Sequence, residues 1–493
     1  MRKKNDFWES SFTRSNITSE NVTTLEMLLG YFIGPFGALL SSGIFTSILQ
    51  NYFTDVLKLN LGFLTTLQML STVLIIAANL IVGQLIERTR CLAGKARPWI
   101  LLSAVTLSTA SILMFIVPFE GTMKLVWIAV AYNLFYAAAY PIYNTANSTL
   151  VPVSTRDSKK RGSLASVANV AGLAVMGAGS MVFPILVSFA LKEDQNLWLL
   201  TMLAIAIFSV FTIYLQFRYT RERVTEELRA RDQETDADRE SVSIKRQLKA
   251  IVSERMWWII ILFYMGFQWS GALKNGSMSY FCKWVLDNTF FGTADAWGAS
   301  QSILSIMGAV PMAVAAVFVV PLCGRFGKRR VCMIGMLVGC AGGVLALAGD
   351  GQLVPVAAGV ALKCLGSAPA CYMILAMLAD VIDHIEYKSS IRTDGLTMSI
   401  YSSIMVAGTP VCNAIFSSLL NFCGYDQAAD VALGTVAQTA EVQRMITISY
   451  IGVETAAYLL CAGLIFFFTV EKNLPQEQAA IASRALQKKE ENR

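Results

Sequence analysis

The chain is almost without histidine: among its 493 residues there is one, His384. That excludes an HExxH metalloprotease helix and any site built from several imidazoles. Charge is scarce as well, at 15% of residues, where a soluble domain carries about a quarter. The ten cysteines, among them Cys91, Cys323, Cys340, Cys364 and Cys461, are scattered through apolar surroundings and form no CxxC pair. They read as small buried hydrophobes, not as a disulfide framework or a metal cluster. No glycine-rich phosphate loop is present, which excludes a nucleotide-driven machine built from this chain alone. A basic surface with interleaved aromatics is missing too, so nucleic acid is not an expected partner. Met1 to Thr24 is polar, begins Arg2-Lys3-Lys4 and lacks the apolar centre of a signal peptide. The first apolar segment is therefore expected to act as the insertion signal. Asn16-Ile17-Thr18 and Asn21-Val22-Thr23 fit the glycosylation pattern, and chance accounts for matches this short.

What is present is apolar length. Hydrophobic residues make up 55% of the chain, gathered in runs of about 20 residues, enough to cross a bilayer. Twelve spans are expected: 25–53, 61–86, 98–117, 124–151, 163–191, 197–217, 256–286, 297–323, 331–349, 352–383, 395–422 and 443–470. In lipid every backbone amide must bond within its own segment, so open-chain spans are helices. The fold class is thus an all-α polytopic membrane protein with twelve transmembrane helices in two six-helix halves.

Lys and Arg set the orientation. The connectors after spans 2, 4, 8 and 10 carry Arg88, Arg90, Lys95 and Arg97; Arg156, Lys159, Lys160 and Arg161; Arg325, Lys328, Arg329 and Arg330; and Lys388 and Arg392. Connectors on the other side hold Lys58, Lys124 and Lys192, one each, or no basic residue before Arg444. Both termini are then cytoplasmic. The organisation reads as a cytoplasmic tail (1–24), a six-helix half (25–219), a cytoplasmic linker (220–255), a second six-helix half (256–470) and a cytoplasmic tail (471–493). The linker balances nine basic against nine acidic residues, and its part Ile244 to Val252 could lie as an amphipathic helix at the membrane surface.

The halves echo each other. Gly83-x-x-x-Glu87-Arg88 follows the second span, and Gly324-Arg325-Phe326-Gly327-Lys328-Arg329-Arg330 follows the eighth. A glycine there lets helix ends approach, and basic residues can cap C-termini or pair with acids. Two parallel six-helix repeats around a midplane site is the major facilitator plan.

Three local patterns are sharper: Tyr52-Phe53-Thr54-Asp55-Val56, Gly94-Lys95-Ala96-Arg97-Pro98-Trp99-Ile100-Leu101, and Ala379-Asp380-x-x-Asp383 with Glu386-Tyr387-Lys388 and Ile391-Arg392. Together with Leu150-Val151-Pro152 they make the chain resemble the glycoside–pentoside–hexuronide:cation symporter (melibiose-permease-like) family. That resemblance implies a major facilitator fold, sugar or glycoside cargo, and coupling to Na⁺, Li⁺ or H⁺. It also implies two cation-binding acids in the second span, which fall here at Ile75 and Asn79, and sugar-binding acids that fall at Leu39 and Asn144. Ile75 offers no oxygen and Asn79 only a neutral carbonyl, a poor set for a hard cation.

An ionisable side chain at the membrane midplane is costly and usually faces a cavity. Lys274, Lys363 and Glu454 hold such positions in spans 7, 10 and 12. The lysines are read as cargo ligands, against a structural pair with a carbonyl or with Glu454. Glu454 is read first as a structural partner and, with Asn79, as a coupling candidate. Tyr140, Asn144 and Asn147 recur at i, i+4 and i+7 of span 4, and Gln268 and Trp269 pair on span 7; all suit sugar hydroxyls or helix–helix hydrogen bonds equally. Gly172, Gly177 and Gly179 of span 5 are read as close-packing positions. A gate is expected from Asp380 and Asp383 pairing with Lys388, Arg392 or the basic clusters that include Arg88 and Arg97, against a plain solvated cap.

The leading expectation is a secondary transporter moving a sugar or glycoside, neutral or anionic and hexuronide-like, by alternating access. It would be a multi-pass monomer of a bacterial cytoplasmic (inner) membrane, with the lipid bilayer and one small molecule as partners. It is not an enzyme, and no cofactor or metal is expected beyond a co-transported H⁺ or Na⁺. The alternatives are an efflux transporter for amphipathic molecules and a ligand sensor on a transporter scaffold.

Overall fold

The structure, a computed structural model, describes residues 13–89, 91–155, 158–192, 194–223, 225–226, 244–291, 296–389, 394–427, 438–471, 473–474, 476–477, 479–480 and 483. Among the described residues the regular structure is helical, apart from one isolated β-bridge between Cys91 and Gly94. The long rods are α1 (Thr24–Val56), α2 (Leu61–Arg88), α3 (Arg97–Phe115), α4 (Gly121–Val151), α5 (Ser158–Leu186) and α6 (Gln195–Arg218). After a short connector helix (Ile244–Val252) come α7 (Arg255–Trp284), α8 (Trp297–Phe326) and α9 (Lys328–Ala348). The last are α10 (Leu353–Ser389), α11 (Asp394–Phe422) and α12 (Ala440–Phe466). Among the described residues eleven of these are long and apolar enough to span a membrane. The exception is α5, which starts Ser-Lys-Lys-Arg and is rich in Gly, Ala and Ser.

Local sequence sets the helix ends. Asn60 caps α2 by accepting from the Gly62 and Phe63 amides at 2.8 and 3.3 Å, and Asp194 caps α6 through Asn196 at 2.9 Å. Two compact units result, Met1–Asp238 and Arg239–Arg493.

The N-terminal unit is cored by rings. Phe115 stacks on Trp198 with centroids 6.0 Å apart, Tyr52 lies 4.6 Å from Phe115, and Phe45 lies 4.5 Å from Phe135. α1 and α6 approach at Gly37, whose amide donates to Thr212 Oγ1 at 3.1 Å and whose absent Cβ would overlap Ser209. Of Gly172, Gly177 and Gly179 on α5 only Gly179 packs closely, against the α1 backbone at Leu40, Gly43 and Ile44; a Cβ at Gly172 would meet nothing.

The segment following α6 behaves unlike a solvated linker at its start. Glu222 is 1% exposed, and its carboxylate accepts the Lys95, Ala96 and Arg97 amides at 2.7, 2.8 and 2.8 Å. These amides lead into the first turn of α3, where a helix is short of acceptors and its dipole favours an anion. Next to it Arg223 pairs with the buried Glu26 of α1 at 2.8 Å and donates to the Ser19 and Asn21 carbonyls. The N-terminal segment is pinned there too, with the Asn16 amide donating to the Arg218 carbonyl at 2.8 Å.

The C-terminal unit repeats the device. Glu471, after α12, accepts the Lys328 and Arg329 amides at the start of α9, at 2.7 and 3.1 Å. Each carboxylate sits beside a glycine in the left-handed region, Gly94 (φ 120°) and Gly327 (φ 88°), where a Cβ would stand 2.5 Å from Glu222 Oε1 and 3.2 Å from Glu471 Oε1. The sequence echo is therefore real, but its demanding glycines are these two. Gly83 and Gly324, expected to permit close approach, face open space. The connector helix forms over the expected residues, and Ala250 and Ile251 join the core of this unit beside Trp257.

Truncating Glu222 to Ala should destabilise the N-terminal unit by about 2–4 kcal/mol, because it orphans buried amides, and Glu471→Ala should cost less, having two amides to orphan. Thermal unfolding of the detergent-solubilised variants checks this. Wild-type stability in Glu222→Ala would show that the carboxylate is dispensable.

Candidate functional site

α7, α10 and α12 each carry one charged residue near mid-helix, Lys274, Lys363 and Glu454, and the three side chains meet. Glu454 Oε2 lies 2.5 Å from Lys363 Nζ, and Glu454 Oε1 lies 3.5 Å from Lys274 Nζ. The Tyr458 hydroxyl, one turn further along α12, donates to Glu454 Oε1 at 3.0 Å. Side-chain exposure falls from 19% at Lys274 to 3% at Glu454 and 0% at Lys363. Both lysines share one carboxylate, and Lys274 holds the longer contact and the more open position.

Small residues bring these helices together. On α9, Gly339 faces Tyr458, Gly342 would carry a Cβ 2.5 Å from the Lys363 backbone nitrogen, and Gly343 abuts Thr455. Gly366 of α10 meets the Gly335 and Gly339 backbone in the same seam. With Cβ atoms there, α10 and α12 could not approach α9 so closely. A π-helical turn, Ile448–Gly452, ends two residues before Glu454, and an extra residue in a turn of this kind re-aims the side chains beyond it. Tyr450 in that turn sets its ring 5.6 Å from Lys363 Nζ, a cation–π contact.

On α7, Gln268 and Lys274 are partly exposed, Asn275 is exposed, and a Cβ at Gly271 would meet nothing. Positions 268, 271 and 275 share one helix face, so two amides flank a glycine on a face of α7 that the unit itself leaves partly uncovered. Asn275 had escaped the sequence reading; its i+7 spacing from Gln268 was the available signal. Trp269 is committed differently, its indole donating to the Ile404 carbonyl at 3.1 Å and its ring lying against Gly408.

The α4 stripe divides as well. Asn147 Oδ1 accepts from Gln216 Nε2 at 2.7 Å, and Gln216 Oε1 accepts from Tyr143 at 3.1 Å, so these residues tie α4 to α6. Tyr140 stacks on Phe135. Asn144 is partly exposed, and its amide makes no side-chain hydrogen bond among the described residues. A π-helical turn, Leu134–Ala139, precedes Tyr140, as one precedes Glu454.

Of the four positions where the family resemblance implies acids, three (Ile75, Leu39 and Asn79) are apolar or self-satisfied. Ile75 is 1% and Leu39 8% exposed, and the Asn79 amide donates to its own helix at the Ile75 carbonyl, 2.8 Å away. Among the described residues no group of three His, Cys, Asp or Glu side chains could hold a metal ion.

The gate candidates are distributed over several contacts. Asp380 pairs with Lys328 at 2.7 Å, within the basic cluster after α8. Lys388 pairs with Glu254 at 2.9 Å in place of an α10 carboxylate. His384 Nδ1 lies 2.9 Å from both oxygens of Glu477, which holds the tail segment against α10. Asp383 is half-buried and Arg88 exposed, while Arg392 lies outside the described residues. Arg97 is buried: its guanidinium donates to the Phe217 and Ala93 carbonyls and lies over the Phe217 ring, so it braces α3 against α6.

A family model described as MFS/sugar transport protein matches residues 30–472. The chain is 26% identical to the isoprimeverose transporter of Lactiplantibacillus pentosus, covering 96% of this chain and 94% of that one. It is 21% identical to the glucuronide carrier protein homolog of Escherichia coli K12, covering 90% and 92%. The nucleoside transporter NupG shares the fold, with a TM-score of 0.60 at 13% identity over 91% of this chain and 100% of that one.

Removing the shared carboxylate should be severe: Glu454→Gln leaves two ammonium groups without a counter-charge and should cost about 3–5 kcal/mol. The double variant Lys363→Met/Glu454→Met should be more stable than Glu454→Gln, since it withdraws charge of both signs. Unfolding temperatures in detergent test both, and Glu454→Gln melting with the wild type would show that the triad is not electrostatically coupled.

Proposed function

The chain belongs to the MFS/sugar transport protein family, and from that premise we propose that its cargo is a glycoside carrying one carboxylate. It is a secondary transporter of the glycoside–pentoside–hexuronide:cation symporter type, a multi-pass protein of the cytoplasmic membrane and not an enzyme. Its substrate is a small molecule. The finer assignments, proposed here, are twelve spans with both termini cytoplasmic and transport by alternating access.

The observation that carries the cargo assignment is the charge of the triad. Two lysines face one glutamate, so the cluster holds a surplus positive charge in an apolar bundle. A buried surplus charge is costly unless a counter-ion arrives. Lys274, at the longer distance and with the larger exposure, is the group free to receive it. An ammonium suits a carboxylate, and the neighbouring Gln268 and Asn275 amides suit hydroxyls on the same ligand. On the N-terminal unit, the uncommitted Asn144 amide offers the same hydroxyl chemistry. Asp380 with Lys328, and Lys388 with Glu254, are proposed as ion pairs that open and close with the transport cycle.

Cation coupling of the family type finds little support, because Ile75 and Asn79 supply no charged oxygen. Replacing Na⁺ by K⁺ should therefore leave uptake unchanged within about twofold; loss of most uptake would restore a sodium site.

Lys274→Gln should lower uptake of a labelled glucuronide by at least about tenfold, the loss of one charge-assisted contact. Uptake of the matching neutral glucoside should fall much less. Equal effects on the two cargoes, or none, would remove Lys274 from carboxylate recognition.

A further inference from the structure

We propose that this carrier is built to exchange one monovalent anion for another, and that its empty form crosses slowly because it must enclose an unbalanced charge. The proposal rests on Lys274 acting as the carboxylate ligand, and adds to it a statement about which step limits transport.

The argument is a charge count at the triad. Lys274 and Lys363 contribute two positive charges and Glu454 one negative. Tyr458 adds a neutral hydroxyl donor to the same carboxylate and does not alter the sum. Among the described residues no other charged side chain lies within ion-pair distance of these three. The empty cluster therefore carries one surplus positive charge, and binding a monovalent anion at Lys274 brings it to zero.

The consequence appears when the carrier closes over the site. While Lys274 is partly exposed, water screens its ammonium. Closure removes that water, and the desolvation penalty falls on whatever net charge is left. With the anion bound, closure encloses a neutral cluster. Without it, closure encloses a cation. Loaded transit is thus favoured over empty transit, and exchange outruns net flux. Geometry supports the division of labour: Lys363 keeps the 2.5 Å contact to Glu454 through the cycle, whereas the 3.5 Å contact of Lys274 can be given up to a ligand.

Voltage separates the two transits. A neutral loaded carrier moves no charge, so exchange should ignore the membrane potential. The empty carrier moves one positive charge, so a negative-inside potential should draw it inward, speeding net efflux of the anion and slowing net uptake.

The experiment uses the full-length protein in proteoliposomes with labelled methyl β-D-glucuronide as the probe. Efflux is timed into buffer with and without external unlabelled probe, at zero potential and at about 100 mV of either sign set by K⁺ and valinomycin. Exchange should exceed net efflux by at least about tenfold and stay constant with voltage, whereas net efflux should rise when the inside is negative. Net efflux as fast as exchange would overturn the proposal, as would exchange slowed at both polarities, the mark of a charged loaded carrier. In Lys274→Gln the empty cluster is neutral, so for methyl β-D-glucoside net efflux should approach exchange within about twofold; a persisting tenfold gap in that variant would also overturn it. A wild-type protein that does not carry the glucuronide, or a Lys274→Gln variant that carries it unchanged, would instead defeat the cargo assignment beneath.

Discussion

One carboxylate shared by two ammonium groups governs the C-terminal unit. In water such a cluster would be unremarkable, because each charge would be hydrated. Between three apolar helices the same groups must satisfy one another, and each depends on the placement of the other two. That dependence reaches into the backbone. Glu454 can touch Lys363 only because α9 carries glycines where α10 and α12 cross it, and its aim follows a π-helical turn. The apolar seam and the polar cluster are one construction: the first sets the distance and the second uses it.

A second carboxylate device recurs in both units. Glu222 and Glu471 stand after the last helix of their unit and accept the opening amides of its third helix. Each joins chain segments far apart in sequence, using acceptors that an isolated helix start lacks. Because the contact is to backbone, the side chains of the basic clusters stay available, and Lys328 reaches Asp380 from such a position. The repeat leaves the pairing of the remaining charges to differ between units: in one, Arg97 is consumed in bracing α3 against α6, and in the other, Lys328 meets an α10 carboxylate.

The fold was largely legible in the sequence. Apolar run length dictated the rods, basic connectors marked their ends, and the connector helix Ile244–Val252 forms over the residues its pattern indicated. The identity of the three mid-helix ionisable residues was legible too, since lipid makes each conspicuous. Their mutual contact was not, because three helices distant in sequence have to cross at one level, and hydropathy does not contain crossing geometry. Glu222 and Arg223 were missed for a different reason. They sit in a stretch of mixed charge that reads as solvated, and only the unfilled α3 amides and Glu26 draw them inward. The glycines illustrate both limits: Gly83 and Gly324 matched a pattern yet face open space, while Gly94 and Gly327 are set by backbone dihedrals that no composition rule exposes.

Stability alone does not account for the triad. A buried ion pair is often no more stabilising than apolar side chains of similar volume, since desolvation offsets much of the attraction. Lys363 and Glu454 balance each other's charge at 2.5 Å, so a purely structural cluster would be neutral with two members. Lys274 is the third, and it adds charge without adding balance. Its side chain is the most open of the three, and the same helix carries the partly exposed Gln268 and the exposed Asn275. A structural lysine would be better placed against carbonyls or a second acid. On the reading proposed above, Lys274 takes a ligand that brings the missing negative charge with it, as a monoanionic glycoside would.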